Sequence, residues 1–335
     1  MDGLVSFEWR ERRVLVTGAT GIVGSWLCQE LVDRGAFVVA MVLDDNPQSR
    51  FYSDGIDRQC TIVRGNLSSV DDCARAVNAN DVTTVFHLGA QTIVGTALRD
   101  PFETFESNIR GTYNLLEAVR RLTPLVSEVV IASSDKAYGE SAILPYTEDM
   151  PLNGKHPYDV SKSCADLLGA SYAFAYGMPV SIARCGNIYG GGDLNWSRIV
   201  PGTIRSLLLN EVPVVRSSGG FIRDYIYVRD AVGAYIALAE ATAAGGIAGE
   251  AFNFSTGSHC TVLEIVDAIM KAMGVNVQPR ILDSAKLELV NQTLDSSKAH
   301  ARLGWQATWS LDEGLVETVA WYRDHFTNVK PKIIR

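Results

Sequence analysis

The sequence predicts an α/β protein: a doubly wound parallel sheet with helices on both faces, and a smaller α/β lobe interleaved towards the C-terminal end. Three observations carry that expectation. Short β-rich runs alternate with amphipathic helical stretches from Arg13 to Arg184, the pattern of a parallel sheet with crossover helices. The first run (RVLVT) ends in three spaced glycines, Gly18, Gly21 and Gly24, at the start of a helical stretch. No repeat or low-complexity hinge separates the two halves, so the second lobe is expected to interleave with the first.

In order, residues 22–34 have helical spacing, closed by Gly35, and a strand over 37–43 ends in Asp44-Asp45. A strand at 60–64, a helix at 69–79 and a strand at 82–88 follow, then a long amphipathic segment, 102–121, and a strand at 128–132. A helix over 158–176 and a strand over 180–184 complete the larger unit. After Gly190-Gly191-Gly192 the alternation loosens into strands at 214–216, 224–228 and 251–254 among helices at 200–209, 230–241, 262–273 and 311–325.

At 335 residues the chain is longer than one ordinary domain and short for three, which suits two lobes. A formal net charge of −8 argues against a nucleic-acid partner, which needs a basic face. No run approaches the ~20 apolar residues that cross a bilayer, and the opening MDGLVSFEWRERR lacks a signal-type apolar core. The chain is therefore read as cytoplasmic, with no membrane partner. Its six cysteines are scattered without a CxxC pair, which suits reduced thiols and neither a metal site nor a disulfide framework. Cys185, just past a strand, is read as a small buried hydrophobe.

Gly18-Ala19-Thr20-Gly21-Ile22-Val23-Gly24 reads GxxGxxG between a strand and a helix. Such a turn brings backbone close to a pyrophosphate, and the helix N-terminus adds free N–H groups and a positive dipole end. The expected cofactor contacts are Gly18, Thr20, Gly21, Ile22, Val23 and Gly24. Some twenty residues on, Asp44 (or Asp45) ends the second strand, where a carboxylate can hold both ribose hydroxyls. No arginine stands at that strand end, although Arg50 is downstream, so NAD is preferred over NADP. Residues 1–186 are thus expected to form the dinucleotide-binding Rossmann domain, with later segments returning to it, and 187–335 mainly a substrate-binding lobe.

Tyr158 and Lys162 lie four apart at the start of a predicted helix, so both project from one face. A cation near a phenol favours the phenolate and lowers its pKa, which makes a base for a hydroxyl proton while hydride leaves for a nicotinamide. Upstream lies the strand end Ser133-Ser134-Asp135-Lys136.

Together these motifs resemble the extended short-chain dehydrogenase/reductase family, in its NAD-dependent epimerase/dehydratase branch, over nearly the whole chain. The resemblance implies that Ser134 hydrogen-bonds the reacting oxygen, that Tyr158 is the phenol and that Lys162 supports it. It places Asn66 and Leu67 beside the adenine, with Asn66 where these proteins usually have Asp. It places Leu88, Ala90 and Gln91 beside the cofactor phosphates and nicotinamide ribose. In 4-epimerases of the family the positions of Asp135 and Lys136 are small or apolar. Nucleotide-sugar 4,6-dehydratases need an acid and a base there, to eliminate water across C5 and C6 once C4 is oxidised. Ser134-Asp135-Lys136 resembles the triplet of CDP-glucose 4,6-dehydratases, whereas the generic Arg223-Asp224-Tyr225-Ile226-Tyr227-Val228 departs from that subgroup. An ion pair between Asp135 and Lys136 would favour the opposite protonation states to those elimination needs.

The resemblance puts Asn187 and Arg223 at the substrate pyrophosphate, and local analogy adds Arg198, whose planar fork suits phosphate. Gln91 and Tyr189 are candidates for the hexose. The expected partner is a nucleotide-diphosphate hexose, and the expected assembly a homodimer joined through 102–121 and 158–176. A 4-epimerase using the same Tyr158 and Lys162 stays open, as does, more distantly, a non-catalytic dinucleotide-binding protein.

Overall fold

The computed structural model describes residues 7–122, 124–284 and 289–328. Twelve strands are assigned among them: β1 (Arg13–Thr17), β2 (Phe37–Val42), β3 (Thr61–Arg64), β4 (Thr84–His87), β5 (Glu128–Ala132), β6 (Val180–Cys185), β7 (Asn187–Tyr189), β8 (Val214–Val215), β9 (Ile222–Tyr227), β10 (Ala251–Phe254), β11 (His259–Thr261) and β12 (Arg280–Ile281). Seven form one parallel sheet in the order β10-β6-β5-β4-β1-β2-β3. The chain reverses its winding direction between β1 and β4, and the crevice beyond the carboxyl ends of those strands is where such sheets take ligands.

Apart from its edge strand β3, the sheet is buried on both faces, and side chains alternate along each strand. Val14 and Val16 face one core, with Leu27, Leu31, Phe86 and Leu238, under helices Ile22–Asp33 and Val228–Ala244. Leu15 faces the other, with Val85, Leu115, Val129 and Ile182, under helices Val70–Asn78, Gly111–Arg121 and Pro157–Tyr176. Two later segments, β10 and helix Val228–Ala244, return to this sheet.

The smaller lobe is built on two little sheets, β11-β9-β7 and β12-β8, around a core of Tyr189, Ile204, Tyr227, Ile265, Leu315 and Tyr322. Helix Val262–Met273 begins with a capping box between Thr261 and Glu264, which satisfies two end amides reciprocally. The boundary at 186/187 falls between β6 and β7. The long segment predicted over 102–121 is not one regular helix. It runs Pro101–Phe105, then a widened turn Glu106–Arg110, then Gly111–Arg121. That bulge carries Asn108, which is buried. Among the described residues no helix is long and apolar enough to cross a membrane.

Candidate active site

The crevice at the β1–β4 reversal is closed by backbone packing. Gly18 has φ +69°, and a Cβ there would lie 2.8 Å from the Cα of Gly89, the residue two past β4. A Cβ on Gly24 would fall 2.1 Å from the carbonyl oxygen of Gly18, so only glycine lets the helix start so close to the turn. Gly21 caps that helix without a side-chain acceptor. The first amides, those of Ile22, Val23 and Gly24, have no intrahelical partner by construction and remain for an anion.

Thr17 locks the crevice's two sides. Its Oγ1 accepts the N–H of Leu88 (3.1 Å) and of Gly89 (2.9 Å), and lies 3.0 Å from His87 Nδ1. On the other side of the ring, His87 Nε2 is 3.0 Å from Thr112 Oγ1, whose hydroxyl donates to the carbonyl of Asn108 (2.6 Å). Those roles fix the Nε2–H tautomer, and burial, then Lys162, push the ring's pKa down to about 3, so it is neutral. Asn108 in turn accepts the N–H of Gln91 (2.7 Å) and donates to Ser161 Oγ (2.9 Å), which donates to the carbonyl of Tyr158 (2.7 Å). One continuous set of hydrogen bonds thus joins the glycine turn, the 88–91 loop and the helix of Tyr158.

At the end of β2 the two aspartates differ. Asp45 is engaged by Arg64 (2.6 Å) and by the Tyr52 hydroxyl (2.6 Å). Asp44 is exposed, with no hydrogen bond or ion pair among the described residues, which leaves it for a ribose. Arg50 cannot serve a 2′-phosphate: it is buried, 3.8 Å over the Trp26 ring, and bonded to Asp54 and the carbonyl of Ser25. Asn66 follows β3 as predicted, yet its Oδ1 already accepts the N–H of Ser68 (2.9 Å), so the amide it has left is a donor. Leu67 packs against Gly89 and Gly111, and Ala90 lies half-buried between Gly89 and Gln91.

The carboxyl end of β5 delivers Ser134, Asp135 and Lys136, on a short turn Asp135–Tyr138 for which Ser134 is the cap. Ser134 Oγ donates to Asp135 Oδ1 (2.9 Å) and bonds the phenol of Tyr158. Asp135 is 2% exposed, its Oδ2 has no partner among the described residues, and it makes no ion pair there. Lys136 does not pair with Asp135: its Nζ donates to Oε1 of the fully buried Gln292 (2.5 Å). The Asp135–Lys136 ion pair that would have opposed elimination is not formed; Ser134 and Gln292 are their partners instead.

Tyr158 and Lys162 share one buried helix face at the site, as their spacing requires. The expectation that Lys162 lowers the phenol's pKa is not met. Burial, then Asp135, push Tyr158 well up, and Arg198 is the cation that pulls against them. Lys162 instead donates to the carbonyl of Ala132 (2.8 Å), and burial lowers its own pKa to about 8. Cys185 is buried and pushed up to about 12, so it stays a thiol.

Of the substrate candidates, Asn187 opens β7, half-buried, with no side-chain hydrogen bond among the described residues. Arg198 bonds Asp193 (2.8 Å) and the carbonyl of Ile188 (3.0 Å). Arg223 donates to the carbonyls of Val290 (2.8 Å) and Leu289 (2.5 Å). Gln91 turns back on its own loop, to Ile93 and Thr104. Tyr189 belongs to the small-lobe core, against Tyr227 and Gly314. Sequence reasoning missed Thr17, Asn108 and Gln292, and read His87 only as the start of the loop that runs to Gln91. The available signal was a polar residue ending an apolar strand, as Thr17 and His87 both do.

Comparison with known proteins places the chain in a family. The profile of the family described as GDP-mannose 4,6 dehydratase matches residues 15–318. The chain is 31% identical to the CDP-glucose 4,6-dehydratase of Salmonella typhimurium, over 94% of this chain and 91% of that one. It is 30% identical to the UDP-glucose 4-epimerase of Mycolicibacterium smegmatis, over 93% and 99%. Among solved structures, the UDP-glucose 4-epimerase of Thermotoga maritima with UDP-glucose superposes with a TM-score of 0.85 at 26% identity, covering 93% of this chain and 99% of that one. The dTDP-glucose 4,6-dehydratase of Streptomyces venezuelae, with NAD bound, superposes with a TM-score of 0.83 at 26% identity, covering 93% and 97%. With the glycine cradle, the Tyr158–Lys162 helix and a family profile over most of its length, the chain belongs to the GDP-mannose 4,6-dehydratase family of nucleotide-sugar dehydratases and epimerases.

Proposed function

We propose that the protein is an NAD-dependent nucleotide-sugar 4,6-dehydratase acting on a CDP-glucose-like substrate. The observation that carries this reading is the pair Asp135 and Lys136. Both sit on the turn that presents Ser134, next to the Tyr158 phenol, and each has its own partner instead of the other. Oxidation at C4 alone needs neither group. NAD fits the cradle of Gly18, Gly21 and Gly24 with Asp44 at its ribose end, and when bound it accepts hydride from C4 and later returns it to C6. Ser134 orients the 4-hydroxyl and Tyr158 takes its proton. Lys136 removes the C5 proton, acidified by the new ketone, and Asp135 protonates the departing 6-hydroxyl. Asn187, Arg198 and Arg223 hold the pyrophosphate, the two arginines exchanging carbonyl partners for phosphate oxygens.

The test is the mass of the product formed from CDP-, dTDP-, GDP- and UDP-hexoses. Loss of one water is expected, and Lys136→Ala should slow elimination by about 10²–10⁴-fold while NADH still forms. An unchanged mass with inverted C4 would instead establish a 4-epimerase, the reading favoured by the relatives of that name.

The active unit in this proposal is a homodimer. Ile109, Tyr113, Cys164, Leu167, Leu168 and Ser171 line an apolar hollow on the two long helical segments, and Phe174 nearby is 95% exposed. A second copy of the same face, turned by two-fold symmetry, would cover both hollows. Leu167→Glu is expected to convert a dimer to a monomer in sedimentation velocity; a wild-type protein that sediments as a monomer would sink the proposal.

A further inference from the structure

The carboxyl ends of β2 and β3 hold an ion pair that the cofactor contacts above leave unused. The two strands run parallel in a register that sets Arg64, the last residue of β3, against Val42, the last of β2. Two residues past Val42 stands Asp44, exposed, and next to it Asp45. Arg64 reaches across to Asp45, Nη1 to Oδ2 at 2.6 Å, while the Tyr52 hydroxyl donates to Oδ1 at 2.6 Å. Tyr52 is itself fixed by its ring contact with the fully buried Phe51, centroids 5.2 Å apart. Both oxygens of Asp45 are thus engaged and its place beside Asp44 is set. The Arg50 guanidinium is buried over Trp26, whereas the Arg64 side chain is 64% exposed.

Two carboxylates and one guanidinium therefore stand together at the end of the sheet where Asp44 would hold the adenine ribose, and their charges sum to a single negative one. Ribose hydroxyls suit such a corner, because they donate to a carboxylate. A 2′-phosphate, with about two negative charges at neutral pH, does not. The Asp45–Arg64 pair is exposed, so opening it costs little. What keeps a phosphate from the guanidinium is the repulsion of the carboxylate that stays beside it, added to that of Asp44. With both carboxylates gone, the same corner would present a planar fork suited to a phosphate.

We propose that Arg64 is a latent ligand for a 2′-phosphate and that Asp45, by pairing with it, helps set the choice of NAD over NADP. The proposal rests on the placement of Asp44 at the ribose and holds equally for a dehydratase and an epimerase.

The experiment is calorimetric titration of the full-length, sugar-free protein with NAD and with NADP at low ionic strength. Four proteins are compared: wild type, Asp44→Ser, Asp44→Ser with Asp45→Ser, and that double variant with Arg64→Ala. Asp44→Ser should weaken NAD by about tenfold or more, since hydrogen bonds to a charged group are lost. Adding Asp45→Ser should tighten NADP by about a further tenfold, the effect of removing one charge a few ångströms from a phosphate in water, with NAD unmoved. Arg64→Ala should take most of that gain away, and so should high salt, which screens exposed charges. The proposal is overturned if Asp45→Ser adds nothing to NADP affinity or if Arg64→Ala removes nothing. It is overturned too if either substitution weakens both dinucleotides alike, the mark of a structural role. NAD affinity that survives Asp44→Ser unchanged is a separate result: it sinks the ribose placement itself.

Discussion

Tyr158→Phe should lower the rate of C4 oxidation by about 10²–10⁴-fold, or about 3–5 kcal/mol in the barrier, while NAD binding and folding stay intact. The ring packs in a buried position, so removing one oxygen leaves the apolar contacts in place. What is lost, in the proposed mechanism, is the base. In this structure the phenol is held protonated, because burial and the neighbouring Asp135 both disfavour the phenolate and only Arg198 and the Ser134 bond favour it. In the proposed mechanism the further positive charge that favours its ionisation would come from the oxidised nicotinamide that the cradle would hold. Since the reactive form is the deprotonated one, the oxidation rate of the wild type should rise with pH on its acid side. Single-turnover NADH absorbance across pH measures both effects, with calorimetry of NAD binding as the control. A Phe variant within about tenfold of wild type would remove Tyr158 from the chemistry.

Six of the seven central strands were legible because they are buried on both faces and read as nearly unbroken apolar runs, such as VLV in β1 and VVI in β5, while the edge strand β3 is half exposed. The glycine turn was legible for a steric reason: the close approach of Gly24 to the Gly18 carbonyl leaves no choice of residue. Tyr158 and Lys162 could be placed on one face from helical spacing alone. Strands such as β8 and β12, two residues each, and the helix Arg50–Ser53 are too short to show a period. The widened turn at Glu106–Arg110 was invisible for a different reason: a single inserted residue does not disturb the apolar stripe of the helices around it. Side-chain partners were the least legible. Only the folded chain brings Gln292 to Lys136, 156 positions away, or frees Asp44 by engaging Asp45 with Arg64. The phenol's direction of shift was misjudged because sequence spacing places a cation nearby but cannot weigh it against burial.

Asp166→Ala should destabilise the fold by about 3–5 kcal/mol, the range for removing one partner of a buried ion pair. Asp166, on the helix of Tyr158 and Lys162, takes two bonds from Arg184 on β6, Nε–Oδ2 at 2.8 Å and Nη2–Oδ1 at 2.9 Å, and both residues are at most 6% exposed. Truncation leaves the guanidinium buried with, among the described residues, the Tyr138 hydroxyl (2.7 Å) and the Glu148 carbonyl (3.4 Å) as its hydrogen-bond partners. That hydroxyl donates to Asn253 Oδ1 (2.8 Å) on β10, so the disturbance reaches the edge of the sheet. Tyr138 also ends the turn that presents Asp135 and Lys136, which makes the pair a clamp between the helix of Tyr158 and Lys162 and the turn proposed to carry the acid and base. A paired apolar replacement, Asp166→Leu with Arg184→Met, should therefore restore most of the stability but not the elimination rate, because the turn loses its anchor. Urea unfolding and product formation, measured on the single and double variants, separate the two roles. If the double variant recovers both, the clamp serves stability alone; if Asp166→Ala unfolds within about 1 kcal/mol of wild type, the guanidinium has found water and the pair is not closed.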